Sequence, residues 1–397
     1  MTDQRQHALL IQPRDPMVFR DARPFSNDPG ARADTLAWPL PQTVAGAVRT
    51  HVGTCLDWDW RAGGPEQARA LAVHGPLLSS LRDGTAGWEA YLPAPLDAVI
   101  HLDHEGQEAV LHLRPGADLS SESGTDLPAG LLPVDVTDDV KPSPQRPWWS
   151  AAALDAWLRD RDGPLPASEE RLAGPPRETR VHVGIDPTTL TSREGMLFAT
   201  TGLAFGESVS PGPGSPGKTG ERQPALALLC RAASPGDWQP RPAFIALGGE
   251  RRMARLQPSA AAWPVPSAQL AAALGAGSRL RMVLATPGIF RGGWRPGWLD
   301  PASLSGAPPG ATGLRLKLVG AAVGRRVPVS GWDLTANDGR GAPRAVRYAA
   351  PAGSVYFLQV EAGTLDAATL EQLWLRPMSD DDQDGRDGYG LATWGVW

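Results

Sequence analysis

The sequence has few cysteines and no long apolar run, and these absences exclude several classes of protein. Cys55 and Cys230 are the only cysteines among 397 residues, too few for a disulfide framework or a four-cysteine zinc site. No apolar stretch reaches the roughly 18 residues that a membrane-spanning helix needs, and the N-terminus does not resemble a secretory signal. We therefore expect a cytoplasmic protein with no membrane association and no bound metal or other cofactor.

Lysine is also scarce, because 35 of the 38 cations are arginines. Between Arg222 and Arg347 there are 17 cations and five carboxylates, a local net charge of +12 in a chain whose net charge is −5. Guanidinium groups bind phosphate in a bidentate fork and stack on bases, so this segregation favours a polyanion as partner. A GC-rich genome, whose codons favour arginine over lysine, accounts for the same bias without a function.

The rest of the composition predicts a globular, loop-rich protein. Hydrophobic residues make up 42% and charged residues 20% of the chain, values that exclude disorder throughout. The 45 glycines and 40 prolines follow no period and predict many turns. At this length, we expect two or three domains.

Hydrophobic periodicity predicts mixed helices and strands. The expected helices are Thr43 to Leu56, Trp149 to Arg159, Ser267 to Leu274 and Asp366 to Leu375. The expected strands include His7 to Gln12, a hairpin from Val99 to Leu113, Thr179 to Ile185, Met196 to Phe205, Ala225 to Cys230, Ala243 to Leu247, Arg279 to Thr286, Leu314 to Ala322, Ser354 to Val360 and Leu391 to Trp397. The last four of these strands, together with the helix Asp366 to Leu375, are compatible with one ferredoxin-like βαββαβ unit. The acidic run Asp380 to Asp387 is expected to be a solvated loop.

Two groups of residues match catalytic or metal patterns only weakly. Gly212 to Thr219 fits the phosphate-loop spacing GxxxxGK[ST], but Pro213 and Pro216 remove backbone donors and no helix pattern follows, so we expect a mobile loop. The histidines of the predicted hairpin lack a supporting carboxylate helix and are expected at the surface: His101, His104 and His112.

His182 lies in a strand pattern that separates two faces. Alternation places Arg180, His182 and Gly184 on a cationic face, and Val181, Val183 and Ile185 on a face expected to be buried. The cationic face could read RNA, and His182 could be a general base for attack by a ribose 2′-hydroxyl. A histidine hydrogen-bonded to neighbouring backbone explains the same pattern.

Motifs in order along the chain resemble those of the third Cmr subunit of type III-B CRISPR effector complexes, a RAMP-superfamily protein. They are Ile11-Gln-Pro-Arg-Asp-Pro-Met-Val-Phe-Arg-Asp-Ala-Arg-Pro-Phe25, Pro39-Leu-Pro-Gln-Thr-Val-Ala-Gly-Ala-Val-Arg49, Arg180-Val-His-Val-Gly-Ile-Asp186 with Arg193-Glu-Gly195, Ala246-Leu-Gly-Gly-Glu-Arg-Arg252, Gly292-Gly-Trp-Arg-Pro-Gly-Trp298, Pro351-Ala-Gly-Ser-Val-Tyr-Phe357 and Gly388-Tyr-Gly390. Three departures affect local geometry: Ala22 replaces a usual glycine, Tyr389 replaces phenylalanine, and Gln42-Thr43 replaces part of Pro-Ser-Thr.

The resemblance implies an α+β fold of two ferredoxin-like domains with long loop and hairpin insertions. We expect the first domain at residues 1–275, with insertions at about 57–175, and the second at residues 276–397. The resemblance further implies a non-catalytic subunit that anchors the 5′ tag of crRNA. Its partners would be the large polymerase-like subunit and the backbone subunit, and target RNA indirectly.

The RNA-binding residues that the motifs imply supply cations, stacking groups, or glycines that let a sugar-phosphate chain approach. They are Arg20, Asp21, Arg23, Phe25, Thr43, Arg49, Arg180, His182, Gly248, Gly249, Arg251, Arg252, Gly292, Gly293, Gly353, Ser354, Gly388 and Gly390.

Two alternatives remain open at this point. A metal-independent endoribonuclease of the crRNA-processing branch would use His182 or His51 as its base, although no histidine, tyrosine and lysine constellation accompanies either. A sister type III subunit in the same architectural position would differ mainly in its partners.

Overall fold

The structure is a computed structural model, and it describes residues 5–20, 32–33, 35–81, 87–116, 126–136, 138–143, 146–209, 222–259, 261–333, 336 and 340–397. Three of the expected RNA-binding residues, Asp21, Arg23 and Phe25, lie outside the described residues, as does the phosphate-loop match Gly212–Thr219. The described chain is an α+β structure whose strands pair almost entirely antiparallel.

The α-helices are α1 (Pro41–Cys55), α2 (Gly64–Ala70), α3 (Ala151–Arg159), α4 (Ala268–Ala276), α5 (Ala367–Leu373) and α6 (Asp382–Arg386). The strands are β1 (Gln6–Pro13), β2 (Arg32–Ala33), β3 (Val73–Leu81), β4 (Trp88–Pro93), β5 (Ala98–Leu102), β6 (Glu108–His112), β7 (Arg114–Pro115), β8 (Val134–Asp135), β9 (Trp148–Ser150), β10 (Arg171–Leu172), β11 (Arg177–Ile185), β12 (Ser192–Leu203), β13 (Ser208–Val209), β14 (Arg222–Gln223), β15 (Leu226–Ala233), β16 (Ala243–Ala246), β17 (Met253–Pro258), β18 (Arg279–Leu284), β19 (Ser305–Gly306), β20 (Arg315–Ala322), β21 (Val327–Val329), β22 (Trp332–Asp333), β23 (Ala342–Pro343), β24 (Arg347–Ala349), β25 (Val355–Ala362), β26 (Arg376–Pro377) and β27 (Leu391–Val396). In the described ranges, no helix is long and apolar enough to cross a membrane.

The chain forms two compact units, each discontinuous in sequence. The first unit contains residues 1–88, 175–261 and 328–347, and the second contains residues 89–174, 262–327 and 348–397. This division differs from the expected single boundary between residues 275 and 276. Residues 89–174, expected as an insertion in the first domain, belong to the second unit.

The first unit is organised around β1, whose residues Leu9, Leu10 and Ile11 are fully buried. Strand β1 pairs with β15 on one side and with β17 on the other; β15 pairs in turn with β3, and β17 pairs with β16. If β1, β3, β15 and β17 are numbered 1 to 4 along the chain, their order across the sheet is 2-3-1-4. Burial raises the pKa of the Cys230 thiol on β15 to about 12, which leaves it unreactive.

Helix α1 packs against the same sheet through its apolar stripe. Val44, Val48 and Val52 have no solvent exposure, as expected for residues four apart on one helix face. Gly53 allows the indoles of Trp58 and Trp60 to lie on the helix, because a Cβ there would be 2.5 Å from the Trp60 ring.

The second unit contains a six-stranded sheet in the order β19-β20-β25-β18-β27-β26. Numbered along the chain, its central strands β18, β20, β25 and β27 again stand in the order 2-3-1-4. The helices α3, α4 and α5 all contact β27. Trp157, Trp394 and Tyr356 are fully buried and fill the core of this unit.

A buried ion pair ties β18 to the rest of the second unit. Arg281, on β18, is 2% exposed and pairs with Asp97, whose side chain is 1% exposed. The guanidinium also donates to the carbonyls of Trp157 and Asp160, and the Trp157 indole donates to Asp97 at 3.2 Å. Because the two opposite charges face each other and form further hydrogen bonds, their burial is tolerated here.

Most of the expected elements are confirmed within a few residues. Helix α1 begins two residues earlier than expected, and Ser267 and Asp366 accept hydrogen bonds as the N-caps of α4 and α5. The hairpin of β5 and β6 pairs Val99 with Leu111. By contrast, β3, β4, β17 and α2 were not expected.

Two local expectations are wrong. Trp149 belongs to strand β9, because the Ser150 hydroxyl accepts from the Ala153 amide at 3.1 Å and starts α3 only at Ala151. The acidic run is helix α6 rather than a solvated loop. Asp381 caps this helix, and Asp384 is 3% exposed.

Removing one partner of the buried ion pair should destabilise the second unit strongly. Asp97→Ala leaves the Arg281 guanidinium charged and unpaired, and we expect a loss of about 3–5 kcal/mol in the free energy of unfolding. The control is Arg315→Ala, which breaks the exposed pair with Glu361 (3.1 Å) and should cost less than about 1 kcal/mol. Urea denaturation of both variants measures the difference, and equal losses would contradict this account.

Candidate nucleic-acid interface

A groove of about 740 Å³ opens on the first unit. Its walls come mainly from three sequence segments that are far apart, residues 18–20, one face of α1 and residues 244–249, and Leu36 adds a further contact. Four of the expected RNA-binding residues line it, namely Arg20, Thr43, Gly248 and Gly249. The fold therefore brings together three of the motifs that carried the family resemblance.

The groove keeps its shape through backbone contacts between residues 18–20 and 248–249. The Gly249 amide donates to the Val18 carbonyl at 2.8 Å. Gly248 has φ 72° and ψ −159°, a conformation that is essentially restricted to glycine. A Cβ at Gly248 would lie 2.7 Å from the same Val18 oxygen, so this close approach requires glycine.

Phe19, which follows Val18, is held in place by a backbone hydrogen bond to the Thr35 hydroxyl. The Phe19 amide donates to the Thr35 hydroxyl at 2.9 Å, and the Leu36 amide donates to the Phe19 carbonyl at 2.7 Å. Thr35 is 4% exposed, while Arg20 is exposed at the groove. The arginine is thus presented to solvent from a fixed backbone.

Helix α1 gives the groove a face of hydroxyl oxygens with an open space beside them. Thr50 donates to the Gly46 carbonyl and Thr54 donates to the Thr50 carbonyl, both at 2.8 Å. Having donated their protons to the helix, these hydroxyls are left as acceptors. Nothing lies within 4 Å of a Cβ placed at Gly46, so the space above this glycine is free for a ligand.

The groove also contains residues that sequence reasoning missed or considered only for catalysis. Phe244 is 57% exposed at the groove, and the Arg14 guanidinium lies 5.7 Å from its ring centroid. The sequence signal that could have identified Phe244 is a large aromatic residue within a predicted β-strand. His51 also lines the groove, and burial lowers its pKa, so it is neutral at pH 7.

The arginines near the groove differ in their availability. Arg251 is exposed with φ 50°. Arg252 pairs with Glu250 at 2.6 Å, and its side chain is 14% exposed. Arg49 is 8% exposed and donates to the Leu71 carbonyl at 2.9 Å, so it stabilises the fold of the first unit.

Arg180 and His182 lie elsewhere in the first unit, on the hairpin of β11 and β12, and neither lines the groove. Arg180 pairs with Glu178 at 2.6 Å. His182 stacks on Phe198, with ring centroids 5.2 Å apart, and its Nε2 is 2.8 Å from the Thr200 hydroxyl.

The expected burial of the opposite face of β11 is wrong. Val181, Val183 and Ile185 are 68%, 49% and 52% exposed. In the described part of the chain, this hairpin pairs with other strands only at a short parallel contact to β2, so no layer of the first unit covers the apolar face.

The expected glycine loops of the second unit are mostly closed. Gly353, Ser354, Gly388 and Gly390 are all buried. The Ser354 hydroxyl donates to Pro351 at 2.7 Å, and the Gly388 carbonyl accepts from Thr286 at 2.7 Å. Gly292 and Gly293 are exposed. The side chain of Ser354 therefore has a partner inside the fold.

The loop that contains Gly292 and Gly293 already binds a carboxylate. The amides of Arg291 and Gly297 each donate to Asp380 at 2.7 Å. A Cβ at Gly297 would be 2.4 Å from this carboxylate, which explains the glycine. These two donors hold the loop together rather than face solvent.

Across the described residues, no group of three or more His, Cys, Asp or Glu side chains is arranged to hold a metal ion. The groove instead combines an exposed arginine, an exposed aromatic ring, hydroxyl acceptors and glycine backbone. This combination suits a ligand with phosphates and bases.

The chain belongs to the CRISPR-associated protein (Cas_Cmr3) family, because the family model matches residues 9–397. Among solved structures it is similar to a chain of the type III-B Cmr-beta complex bound to cognate target RNA and AMPPnP, and to one of the same complex bound to cognate target RNA. Each match has 14% sequence identity and a TM-score of 0.45, and covers 88% of this chain and 86% of the other. No curated protein matches the sequence.

Alanine at two glycines of the groove should have opposite effects on stability. Gly46→Ala places a methyl group in open space within a helix and should stabilise the first unit by about 0.5–1 kcal/mol. Gly248→Ala meets the Val18 carbonyl and a forbidden backbone conformation, and should destabilise it by about 1–3 kcal/mol. Thermal and urea unfolding measure both. A stable Gly248→Ala protein would show that the close approach does not constrain the loop.

Proposed function

We propose that this chain is a non-catalytic RNA-binding subunit of a type III-B CRISPR effector complex, and that its first-unit groove anchors the 5′ tag of crRNA. The observation that carries the proposal is the convergence of Arg20, Thr43, Gly248 and Gly249, from three separate motifs, on one groove. Family membership supplies the context of an RNA-guided complex.

The chemistry of the groove supports a single-stranded RNA as its ligand. Arg20 provides an exposed cation for a phosphate, and the exposed Phe244 ring provides a stacking surface for a base. The acceptor oxygens of Thr50 and Thr54 suit exocyclic amino groups and ribose 2′-hydroxyls. Gly46 and Gly248 keep Cβ atoms away from the path of the chain.

The two sheets support the proposal that both units are ferredoxin-like. A βαββαβ chain with right-handed crossovers places its strands in the order 4-1-3-2, which is 2-3-1-4 read from the other edge. Both sheets have this order. The first unit has α1 between its first two central strands, and the second has α5 between its last two.

We further propose that the chain contacts the large polymerase-like subunit and the backbone subunit of the same complex, and target RNA only through them. In this arrangement, the subunit positions the guide strand and cleavage belongs to a partner. Copurification of each partner with the tagged chain, before and after ribonuclease treatment, separates direct protein contacts from contacts through RNA.

A metal-independent endoribonuclease is the second candidate, because the neutral His51 lines the groove and could accept a proton from a 2′-hydroxyl. The purified chain should leave repeat RNA intact in EDTA. Cleavage that disappears in His51→Ala, with RNA binding retained, would favour the enzyme over the anchor.

Filling the groove should abolish tag binding without unfolding the chain. Gly46→Leu places an isobutyl group in the open space on α1, and we expect tag-bearing RNA to bind at least about tenfold more weakly, since base and phosphate contacts in the groove are lost. Arg20→Ala should weaken binding and reduce the salt dependence, because one phosphate contact is removed. Fluorescence anisotropy with labelled RNA measures both effects.

Thr54→Val is the isosteric variant for the acceptor face, and Arg315→Ala controls for the loss of a cation outside the first unit. The second labelled RNA has the same length and base composition with the tag sequence scrambled. Equal affinity of the wild-type chain for both RNAs, together with unchanged binding by Gly46→Leu, would contradict tag anchoring in this groove.

A further inference from the structure

The second unit contains an exposed arginine stacked on an exposed tyrosine, outside all the motifs that carry the family resemblance. The Arg326 guanidinium carbon lies 4.1 Å from the centroid of the Tyr348 ring. Tyr348 is 46% exposed, and both Arg325 and Arg326 are exposed. A ring and a guanidinium that lie this close to each other at the surface form a ready stacking surface for a base.

The charges around this pair favour an anionic ligand. From Leu318 to Val327 the sequence has two cations, Arg325 and Arg326, and no carboxylate. Within the described residues, neither Arg325 nor Arg326 forms an ion pair with a carboxylate, whereas the exposed Arg315 of the same unit pairs with Glu361 at 3.1 Å. The two adjacent guanidinium groups are thus available for phosphates.

The backbone that carries the two arginines is closely packed. A Cβ at Gly324, the residue before Arg325, would lie 3.1 Å from Pro351 and 3.3 Å from Leu96. Tyr348 belongs to β24, and its successor Ala349 is 1% exposed. Both sides of the stack therefore start from anchored positions, which reduces the entropy lost on binding.

We propose that Arg325, Arg326 and Tyr348 form a second contact for single-stranded RNA, in which a base stacks on the Arg326–Tyr348 pair and Arg325 binds a phosphate. This inference rests on the proposed function, because it assigns a further contact to the same RNA ligand. RNA is favoured over an acidic protein surface. Protein carboxylates would pair with the two arginines only, whereas RNA would use the arginines for phosphate and the exposed ring for a base.

The test compares variants of the stack with variants of the groove on tag-bearing crRNA. We expect Arg326→Ala and Tyr348→Ala each to weaken binding about fivefold or more, and Tyr348→Phe, which keeps the ring, to bind as the wild type does. Arg325→Ala should lower the slope of log affinity against log salt by about 0.7, the value for one phosphate of a single strand. Arg315→Ala is the control cation and should change neither quantity.

Photocrosslinking of 4-thiouridine-substituted crRNA to the full chain gives a second readout. We expect a crosslinked peptide that contains Tyr348, and its loss in Tyr348→Ala when circular dichroism shows an unchanged fold. Wild-type affinity in the three alanine variants, with no crosslink at Tyr348, would overturn the second contact. So would unchanged RNA binding with weaker copurification of a partner subunit, which would assign the stack to a protein interface.

The two proposals fail separately. If Gly46→Leu loses tag binding and the stack variants do not, the groove proposal stands and the second contact is wrong. If Gly46→Leu binds as the wild type does while the stack variants are weak, the tag-anchoring groove is wrong and the RNA contact of the second unit stands.

Discussion

The close approach of two backbones in the first unit is the constraint on which the candidate site depends. The Gly249 amide reaches the Val18 carbonyl, and Gly248 leaves no room for a side chain between them. Because Val18 precedes Arg20, and Gly248 follows the strand that carries Phe244, this contact fixes both walls of the groove. A side chain at Gly248 would move the cation and the aromatic ring apart.

The groove combines groups that would each be unremarkable alone. One exposed arginine, one exposed ring and a few threonine hydroxyls occur on most protein surfaces. Here they surround an open helix face at Gly46, with the core of the unit directly beneath. Under the proposed function, this rigid placement favours affinity, because the protein has little conformational freedom left to lose on binding.

Much of the fold could be predicted from the sequence, because many elements have one buried face and a clear start or stop signal. The valine stripe of α1, the caps Ser267 and Asp366, and the central strand β1 are examples. Strand β3 escaped prediction because its middle is buried on both faces and shows no alternation. Helix α6 was not predicted because its many carboxylates indicated a solvent-exposed loop, whereas Asp381 caps the helix and Asp384 is buried.

The site was predictable in part, for a different physical reason. Family motifs contained Arg20, Thr43, Gly248 and Gly249, but sequence order could not separate them from Arg49, which is buried, or from Ser354, which bonds within its own turn. Alternation along β11 predicted a buried valine face that lies exposed, because no second layer packs on this face in the part of the chain that the structure describes. Phe244 entered only through the structure, as an exposed ring beside Arg14.

The measurement that tests the central claim most directly is the mapping of crosslinks between the full chain and a crRNA that carries 4-thiouridine only within its 5′ tag. The account predicts crosslinked peptides from residues 18–20, from α1 and from residues 244–249, all in the first unit. Crosslinks from the tag that fall only outside these three segments would contradict it.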